Sequence, residues 1–540
     1  MRITWKKVLS LALAGTMLIS LAACGSSNSS GEDSTGSAAA TDSSTMNTAV
    51  YATYDMPALG MDPSSNYNNS IVSLANIYDT LLRYNYETDE CEYVACDSYK
   101  SSEDGLTWTF HIREGMKFHD GTDVDAEAVK YSFERTKNMG LGAAFIWDAV
   151  DSFEVAEDDA NTLIMNLSYE CAMDLTCCSP YGAYIMSPTA VGDAGEEFFD
   201  GDVDAGSGPY MIESRTGDTQ LILAKFDDYW DEWQEGSLDK VVLQQSSESS
   251  TRRQMLESGE ADFVSELPVE DMEALEGNDK VATIKTNSFE NLMILVNSKK
   301  GPLADQKVRQ AINYAFPYQD VIDYVIGGNG TQSYGPVPAG LWGHSDEVFQ
   351  YSYDLDKAAE LLKEAGYEGG GFSLEVTYVT GDETERKIAE LYQSELAKIG
   401  ITLEISPLTS DMYVEKGENS DPNECQDLAF MFWYPDVPSP YTFLYSMYHT
   451  IDPVSFNFSY YNNEEFDARI DAANILAGTD RDAAAAEFVE AQQEVMEQGL
   501  SINCYDKVYY RAYSSSIQGY ADDPSYPNVV FFQKCTRAAQ

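Results

Sequence analysis

Strand-like and helix-like hydrophobic patterns alternate along nearly the whole chain after residue 47. Trp108, Phe110 and Ile112 alternate with polar residues, which predicts a half-buried strand. A helix is predicted over residues 126–137, where Asp123 or Asp125 can accept hydrogen bonds from the first amides. Because strands and helices follow one another in this way, the sequence predicts α/β lobes whose sheets are mostly covered. No unit of about 20–50 residues recurs, which excludes a solenoid.

The same two periodicities predict further elements. The predicted helices span residues 71–82, 305–316, 355–365, 384–399, 464–473 and 481–498. The predicted strands span residues 46–54, 221–226, 240–244, 292–296, 372–379, 401–405 and 501–505. Asp354 precedes one helix as a cap, and Gly366 and Gly400 each follow a helix as a stop signal.

The charge of the chain excludes two classes of partner. It has 540 residues, with 33 Lys and Arg against 90 Asp and Glu, and a formal net charge of −57. Proteins bind nucleic acid and anionic membrane surfaces through Lys and Arg, so neither is expected as a partner. The 44% hydrophobic content is that of a globular protein, and the length allows about three or four domain-sized units. We interpret the acidity as the solvated surface of a secreted protein.

The first 47 residues predict export and anchoring. Residues 1–23 contain Arg2, Lys6, Lys7 and no acid, and then an apolar run too short to span a bilayer, which is the pattern of a cleaved signal. The run ends in LAACG, which resembles a bacterial lipobox with Cys24 as the lipidated residue. An ordinary signal with a chance cysteine is the alternative. Residues 24–47 are small and polar, as in a flexible tether.

The cysteines, histidines and enzyme motifs favour binding over catalysis. Eight cysteines remain besides Cys24, and their spacing leaves any disulfide pairing open. There is no CxxC, and the four histidines lack metal-ligand spacing, so neither a metal nor a cofactor is expected. HExxH, GxSxG and the Walker pattern are all missing from the sequence. The sequence therefore predicts a protein that is not an enzyme.

A long motif resembles the signature of a transport family. It is DGLTWTFHIREGMKFHDGT at residues 104–122, followed by DAEAVKYS at residues 125–132. It resembles the family 5 extracytoplasmic solute-binding proteins, the oligopeptide- and dipeptide-binding class of ABC importers. Further matches, in the same order, are GSGPY at 206–210, DYW at 228–230 and PLADQKVRQAINYA at 302–315. The matches extend from about residue 48 to 520.

This resemblance implies a two-lobed, hinged fold of the periplasmic-binding-protein type (type II, cluster C-like), with an extra domain beside lobe I. The implied hinges lie near residues 289–291 and 500–503. The implied boundaries are a signal at 1–23, a tether at 24–47, lobe I at 48–88, 204–288 and 501–540, the extra domain at 89–203, and lobe II at 289–500.

The resemblance also implies a ligand-binding loop in FWYPDVPSP at residues 432–440. Peptide-binding relatives carry a Trp-x-Ala-Asp-Tyr-x-Asp/Glu-Pro pattern there, and its first Asp holds the α-ammonium group of the peptide. Trp433, Asp436 and Pro440 keep their places in this pattern. The candidate ligand-binding residues are therefore Asp436, Trp433 and Tyr434. The competing interpretation is that Asp436 caps a helix over residues 439–446.

The resemblance implies a function without chemistry on the solute. A lipid-anchored, monomeric receptor on the extracytoplasmic side would capture peptides and deliver them to a permease, with an ATPase subunit driving release. Dipeptide-binding relatives tend to have an arginine after the strand at 372–379, whereas this chain has Thr380 and Gly381 there, with Arg386 further on. Longer peptides or other solutes are thus favoured over dipeptides. The alternatives are an oligosaccharide or a metal chelate as solute, a secreted hydrolase, and a surface signal receptor.

Overall fold

The computed structural model describes residues 46–58, 60–66 and 70–537. Its strands follow the stretches in which apolar side chains alternate or run continuously. The strands of the described part are β1 (Thr48–Thr53), β2 (Leu82–Asn85), β3 (Glu90–Tyr93), β4 (Cys96–Ser101), β5 (Thr107–Ile112), β6 (Val150–Ala156), β7 (Asp159–Leu167), β8 (Tyr210–Thr216), β9 (Gln220–Lys225), β10 (Lys240–Gln245), β11 (Phe263–Val264), β12 (Val281–Val296), β13 (Gly330–Thr331), β14 (Ser373–Val379), β15 (Thr402–Leu408), β16 (Leu428–Trp433), β17 (Ser501–Ser514), β18 (Ile517–Gln518) and β19 (Thr536–Arg537).

Side-chain caps begin many of the helices. The carboxylates of Asp125 and Asp354 each accept a hydrogen bond of 2.9 Å from a backbone N–H three residues on, as predicted. The α-helices of the described part are α1 (Ile71–Ile77), α2 (Ala126–Met139), α3 (Met173–Thr176), α4 (Pro188–Val191), α5 (Ser249–Ser258), α6 (Val269–Leu275), α7 (Gln306–Tyr314), α8 (Tyr318–Asp320), α9 (Leu355–Glu364), α10 (Glu383–Lys398), α11 (Ser410–Gly417), α12 (Pro440–Tyr448), α13 (Glu464–Leu476) and α14 (Arg481–Gln498).

One large mixed sheet runs through the described residues. Its strand order is β15-β14-β16-β12-β17-β11-β1-β10-β9-β8, and β13 pairs with β17. A separate antiparallel sheet has the order β4-β5-β7-β6, and its strand β5 buries Trp108, Phe110 and Ile112 on one face. The predicted mixed α/β class is confirmed.

The centre of the large sheet is a pair of long antiparallel strands. β12 and β17 pair from Val281 opposite Ser514 to Leu295 opposite Ser501. β16 adds to β12 at one end of the pair, and β11 adds to β17 at the other. The pairing is irregular between Asn287 and Asn291, so the two ends of the sheet are joined through a local break in the ladder. The predicted strands at 292–296 and 501–505 are only the last part of β12 and the first part of β17.

The predicted helix at 71–82 is wrong in its second half. α1 ends at Ile77, and Leu82 already belongs to β2. The cause is a tertiary contact, because the N–H of Gly208 donates to the Ile77 carbonyl at 2.8 Å. A Cβ atom at Gly206 would lie 1.9 Å from the same carbonyl oxygen, so only glycine allows this approach. The packed loop replaces the helical turn that the apolar stripe predicts.

The remaining predictions concern anchoring, cysteines and metals. The signal, Cys24 and almost all of the tether lie outside the described residues. Within 46–58, 60–66 and 70–537, no helix has the length and apolar character needed to cross a membrane. The eight cysteines in the described ranges are free thiols. Among the described residues, no cluster of His, Cys, Asp or Glu is arranged to hold a metal ion.

Candidate functional site

A cavity of about 390 Å³ opens beside the central strand pair. One wall comes from Tyr54 after β1 and from residues 266–270, which connect β11 to α6. The opposite wall comes from Phe432 at the end of β16 and from residues 381–384 at the start of α10. Tyr505 and Lys507 of β17 also line it, so segments that follow strands on either side of the central pair meet in this cavity.

A charge network stands at the base of the cavity. Lys507 Nζ lies 3.0 Å from Glu290 Oε1 and 3.1 Å from Glu266 Oε1. Glu290 is 6% exposed at its side chain and sits in the irregular segment of β12, whereas Glu266 is 43% exposed. The ammonium also lies 5.3 Å from the centre of the Phe432 ring. Lys507 of β17 thus forms ion pairs both with Glu290, in the irregular segment of β12, and with Glu266, in the segment after β11.

The pKa values of the network agree with this pairing. The Lys507 ammonium lowers the pKa of Glu266 below its ordinary value, against the effect of desolvation. Burial alone would lower the pKa of Lys507, but the carboxylates of Glu266 and Glu290 outweigh burial and raise it. Lys507 and Glu266 therefore both remain charged at neutral pH. Sequence reasoning missed this network, although a lysine between Tyr505 and Tyr509 in a buried strand is an unusual placement that could have indicated it.

The loop after β16 carries the predicted ligand-binding residues. Trp433 ends the strand, and its ring packs edge-on against Phe456 with the centroids 5.2 Å apart. Its buried indole N–H has no hydrogen-bond partner among the residues that the structure describes. The ring of Tyr434 lies 6.5 Å from that of Tyr181. Burial raises the pKa of Tyr434 to about 12, and the charges of Glu290 and Asp436 add to this rise.

Asp436 is buried, with 3% of its surface exposed. The hydroxyl of Ser179 donates to its main-chain oxygen at 2.6 Å, which fixes the loop against the segment that also carries Tyr181. The competing interpretation, in which Asp436 caps the helix after the loop, is wrong. α12 begins at Pro440, and its side-chain cap is Ser439, whose Oγ accepts a hydrogen bond of 3.3 Å from Tyr441 N–H. Ser439 directly precedes the helix and therefore takes this position.

The three predicted ligand-binding residues lie near the cavity but do not line it. Trp433, Tyr434 and Asp436 lie on one loop, but none of them lines the 390 Å³ cavity. Phe432 does line it, one residue before Trp433. Tyr434 lies close enough to both regions for their charges to act on it. Asp436 on the loop, and Tyr54 and Glu290 near the cavity, each raise its pKa.

Arg386 forms ion pairs with two glutamates of its own helix, α10. Its guanidinium lies 2.7 Å from Glu383 and 2.6 Å from Glu390 on the surface of α10. Gly381, two residues after β14, lines the cavity.

Comparison with known proteins decides the family. The sequence model described as bacterial extracellular solute-binding proteins, family 5 Middle, matches residues 92–453, which is more than half of the chain. This chain belongs to that family. It is therefore an extracytoplasmic solute-binding protein, as its motifs predict.

Curated relatives and solved structures match over most of the chain. The probable D,D-dipeptide-binding periplasmic protein DdpA of Escherichia coli is 29% identical, over 86% of this chain and 89% of the relative. Heme-binding protein A of Haemophilus influenzae is 28% identical, over 95% and 96%. The periplasmic binding protein DppA of Helicobacter pylori, solved with the peptide STSA, has a TM-score of 0.77 and 26% identity, over 91% and 98%. The predicted two-lobed fold of the family 5 binding proteins is confirmed.

Proposed function

We propose that this solute-binding protein captures peptides outside the membrane and delivers them to the permease of an ABC importer. The observation that carries the proposal is Asp436, a buried carboxylate on a proline-bounded loop beside Tyr434 and Trp433. A carboxylate in a site that excludes water forms a strong charge-assisted hydrogen bond with an ammonium group. Asp436 would hold the peptide α-ammonium, and the two aromatic residues would line its first side chain.

The names of relatives support peptides as the solute class. DdpA is named as a dipeptide-binding protein, and the DppA structure contains a bound tetrapeptide, STSA. Members of this family are binding proteins, and the role proposed here involves no bond cleavage. The partners would be a permease and an ATPase subunit, the receptor itself a monomer, and its strong acidity would leave nucleic acid unbound.

The long strands β12 and β17 provide the proposed hinge. Lobe I would comprise residues 48–88, 204–288 and 501–540, lobe II residues 289–500, and the extra domain residues 89–203. The break in pairing between Asn287 and Asn291 lies at this boundary. Ligand bound between the lobes would shift an equilibrium from an open to a closed form, which then docks on the permease.

Calorimetry with blocked and unblocked peptides tests the function. We expect a mixture of tetrapeptides with free amino termini to bind, because the free ammonium pairs with a buried carboxylate. The same mixture after N-acetylation should bind at least about tenfold more weakly, since acetylation removes the charge and a tenfold change corresponds to about 1.4 kcal/mol. Absence of binding by both mixtures would refute the peptide assignment, and equal binding would refute the role of the ammonium.

We further propose that Cys24 anchors the receptor after removal of residues 1–23. Two or more acyl chains on one cysteine hold a protein stably on a membrane, and residues 24–47 would act as the tether. Replacing Cys24 by serine should move the protein from the membrane fraction to the culture fluid or periplasm. Fractionation followed by immunoblotting measures this shift, with Cys425→Ser as the matched control. A C24S protein that stays in the membrane fraction would contradict lipid anchoring.

A further inference from the structure

Two cysteines that are 87 residues apart in sequence meet beside the segment that supports the Asp436 loop. The Sγ atoms of Cys91 and Cys178 are 3.5 Å apart. Cys91 lies on β3 and is partly exposed, whereas Cys178 follows α3 and is buried. Cys178 Sγ also lies 3.3 Å from the main-chain oxygen of Asp174. The thiols of Cys96, Cys425 and Cys504 contact backbone carbonyls at 3.2 to 3.5 Å.

The backbone already holds these two segments in place. The N–H of Leu82, on the strand paired with β3, donates to the carbonyl of Cys177 at 3.3 Å. A disulfide needs its sulfur atoms about 2.05 Å apart, so closure requires an approach of about 1.5 Å. Side-chain rotation about χ1 moves a sulfur atom by that amount without displacing the main chain.

We infer that Cys91 and Cys178 form a disulfide in the exported protein. The exposed thiolate of Cys91 attacks a small-molecule disulfide, releases one thiol and forms a mixed disulfide. Cys178 then displaces the second small thiol and closes the protein S–S bond. Two protein thiols are oxidised, one external disulfide is reduced to two small thiols, and the two protons of the protein thiols end on these two small thiols. The extracytoplasmic location of the family permits such a bond to persist.

The bond would brace the candidate ligand-binding loop. Ser179 follows Cys178 directly, and its hydroxyl holds the main-chain oxygen of Asp436 at 2.6 Å. Tyr181, two residues further on, faces Tyr434. Joining Cys178 to β3 restricts the motion of this short segment and so of the loop that it supports. The consequence for peptide binding rests on the proposed function, whereas the disulfide itself does not.

Peptide mapping tests the bond. The full-length protein is incubated with oxidised glutathione, its remaining thiols are alkylated, and it is digested without reductant. We expect mass spectrometry to find one linked pair of peptides containing Cys91 and Cys178, lighter by two hydrogen atoms than the separate thiol peptides. Alkylation of both cysteines after this treatment, or linkage of either to another cysteine, would overturn the inference.

Two variants separate the bond from general effects of oxidation. In the wild type and in the control Cys171→Ser, whose cysteine is also partly exposed, oxidation should raise the thermal midpoint by several degrees. In Cys91→Ser the midpoint should not respond to oxidant, and a response equal to that of the wild type would overturn the inference. Peptide should dissociate more slowly from the oxidised wild type than from the reduced form. Failure of both redox forms to bind peptide would refute the proposed function and leave the mapped bond standing.

Discussion

Replacing Asp436 by asparagine is expected to weaken the binding of a free-amine tetrapeptide by about 2–5 kcal/mol, a factor of roughly 30 to 4,000 in Kd. The substitution preserves the size of the side chain and removes the charge that would face the α-ammonium. Binding of the N-acetylated peptide should change much less, because it has no ammonium to lose. Titration calorimetry of both peptides against both proteins measures the coupling between the ammonium and Asp436.

Ser439→Ala is the matched control on the same loop. It removes the cap of α12, so we expect it to lower the free energy of unfolding by about 1 kcal/mol while keeping the Asp436 carboxylate. If Asp436→Asn instead leaves peptide affinity within error of the wild type, the ammonium is held elsewhere. The role proposed for Asp436 would then be wrong.

Replacing Lys507 by methionine is expected to lower the free energy of unfolding at pH 7 by about 3 kcal/mol. The substitution removes the ammonium that lies 3.0 Å from Glu290, and this carboxylate then remains buried without its cation. The half-exposed Glu266 contributes less of the loss, because water can solvate it. Urea denaturation measures the change.

The pH dependence of this variant has a definite sign. In the wild type, the lowered pKa of Glu266 contributes stability above the ordinary pKa of glutamate, which is lost as the pH falls through the lowered value. The variant lacks this contribution at every pH, so its deficit against the wild type should stay constant above the ordinary pKa of glutamate and shrink as the pH falls below it.

Lys387→Met is the control, since this lysine lines the same cavity but is 45% exposed and lies 4.0 Å from Glu270. Its effect on stability should stay below about 1 kcal/mol. Equal losses in the two lysine variants would contradict the account of the network.

Local patterns predict many of the elements because their signals lie within a few residues. The alternation at Trp108, Phe110 and Ile112 and the caps at Asp125 and Asp354 all occur in the structure as expected. The full length of β12 could not be predicted in the same way. Its first half, from Val281 to Asn287, contains no fully buried residue and no continuous apolar run, and its place depends on pairing with distant β17. The early end of α1 likewise depends on Gly206 and Gly208, which are more than 120 residues away.

The same distinction between local signals and long-range contacts applies to the candidate site. The resemblance identifies Trp433 and Asp436 because they belong to one short motif. The Lys507 network escaped sequence reasoning because Glu266, Glu290 and Lys507 come from three segments that only the folded chain brings together.

Native mass spectrometry of the protein purified from the cells that produce it tests the central claim most directly. It identifies the solute that the receptor captured before purification, without a choice of ligand by the experimenter. We expect adducts whose masses and fragments form a series of peptides with free amino termini. Adducts that consist of haem, an oligosaccharide or a metal complex in place of peptides would contradict the account.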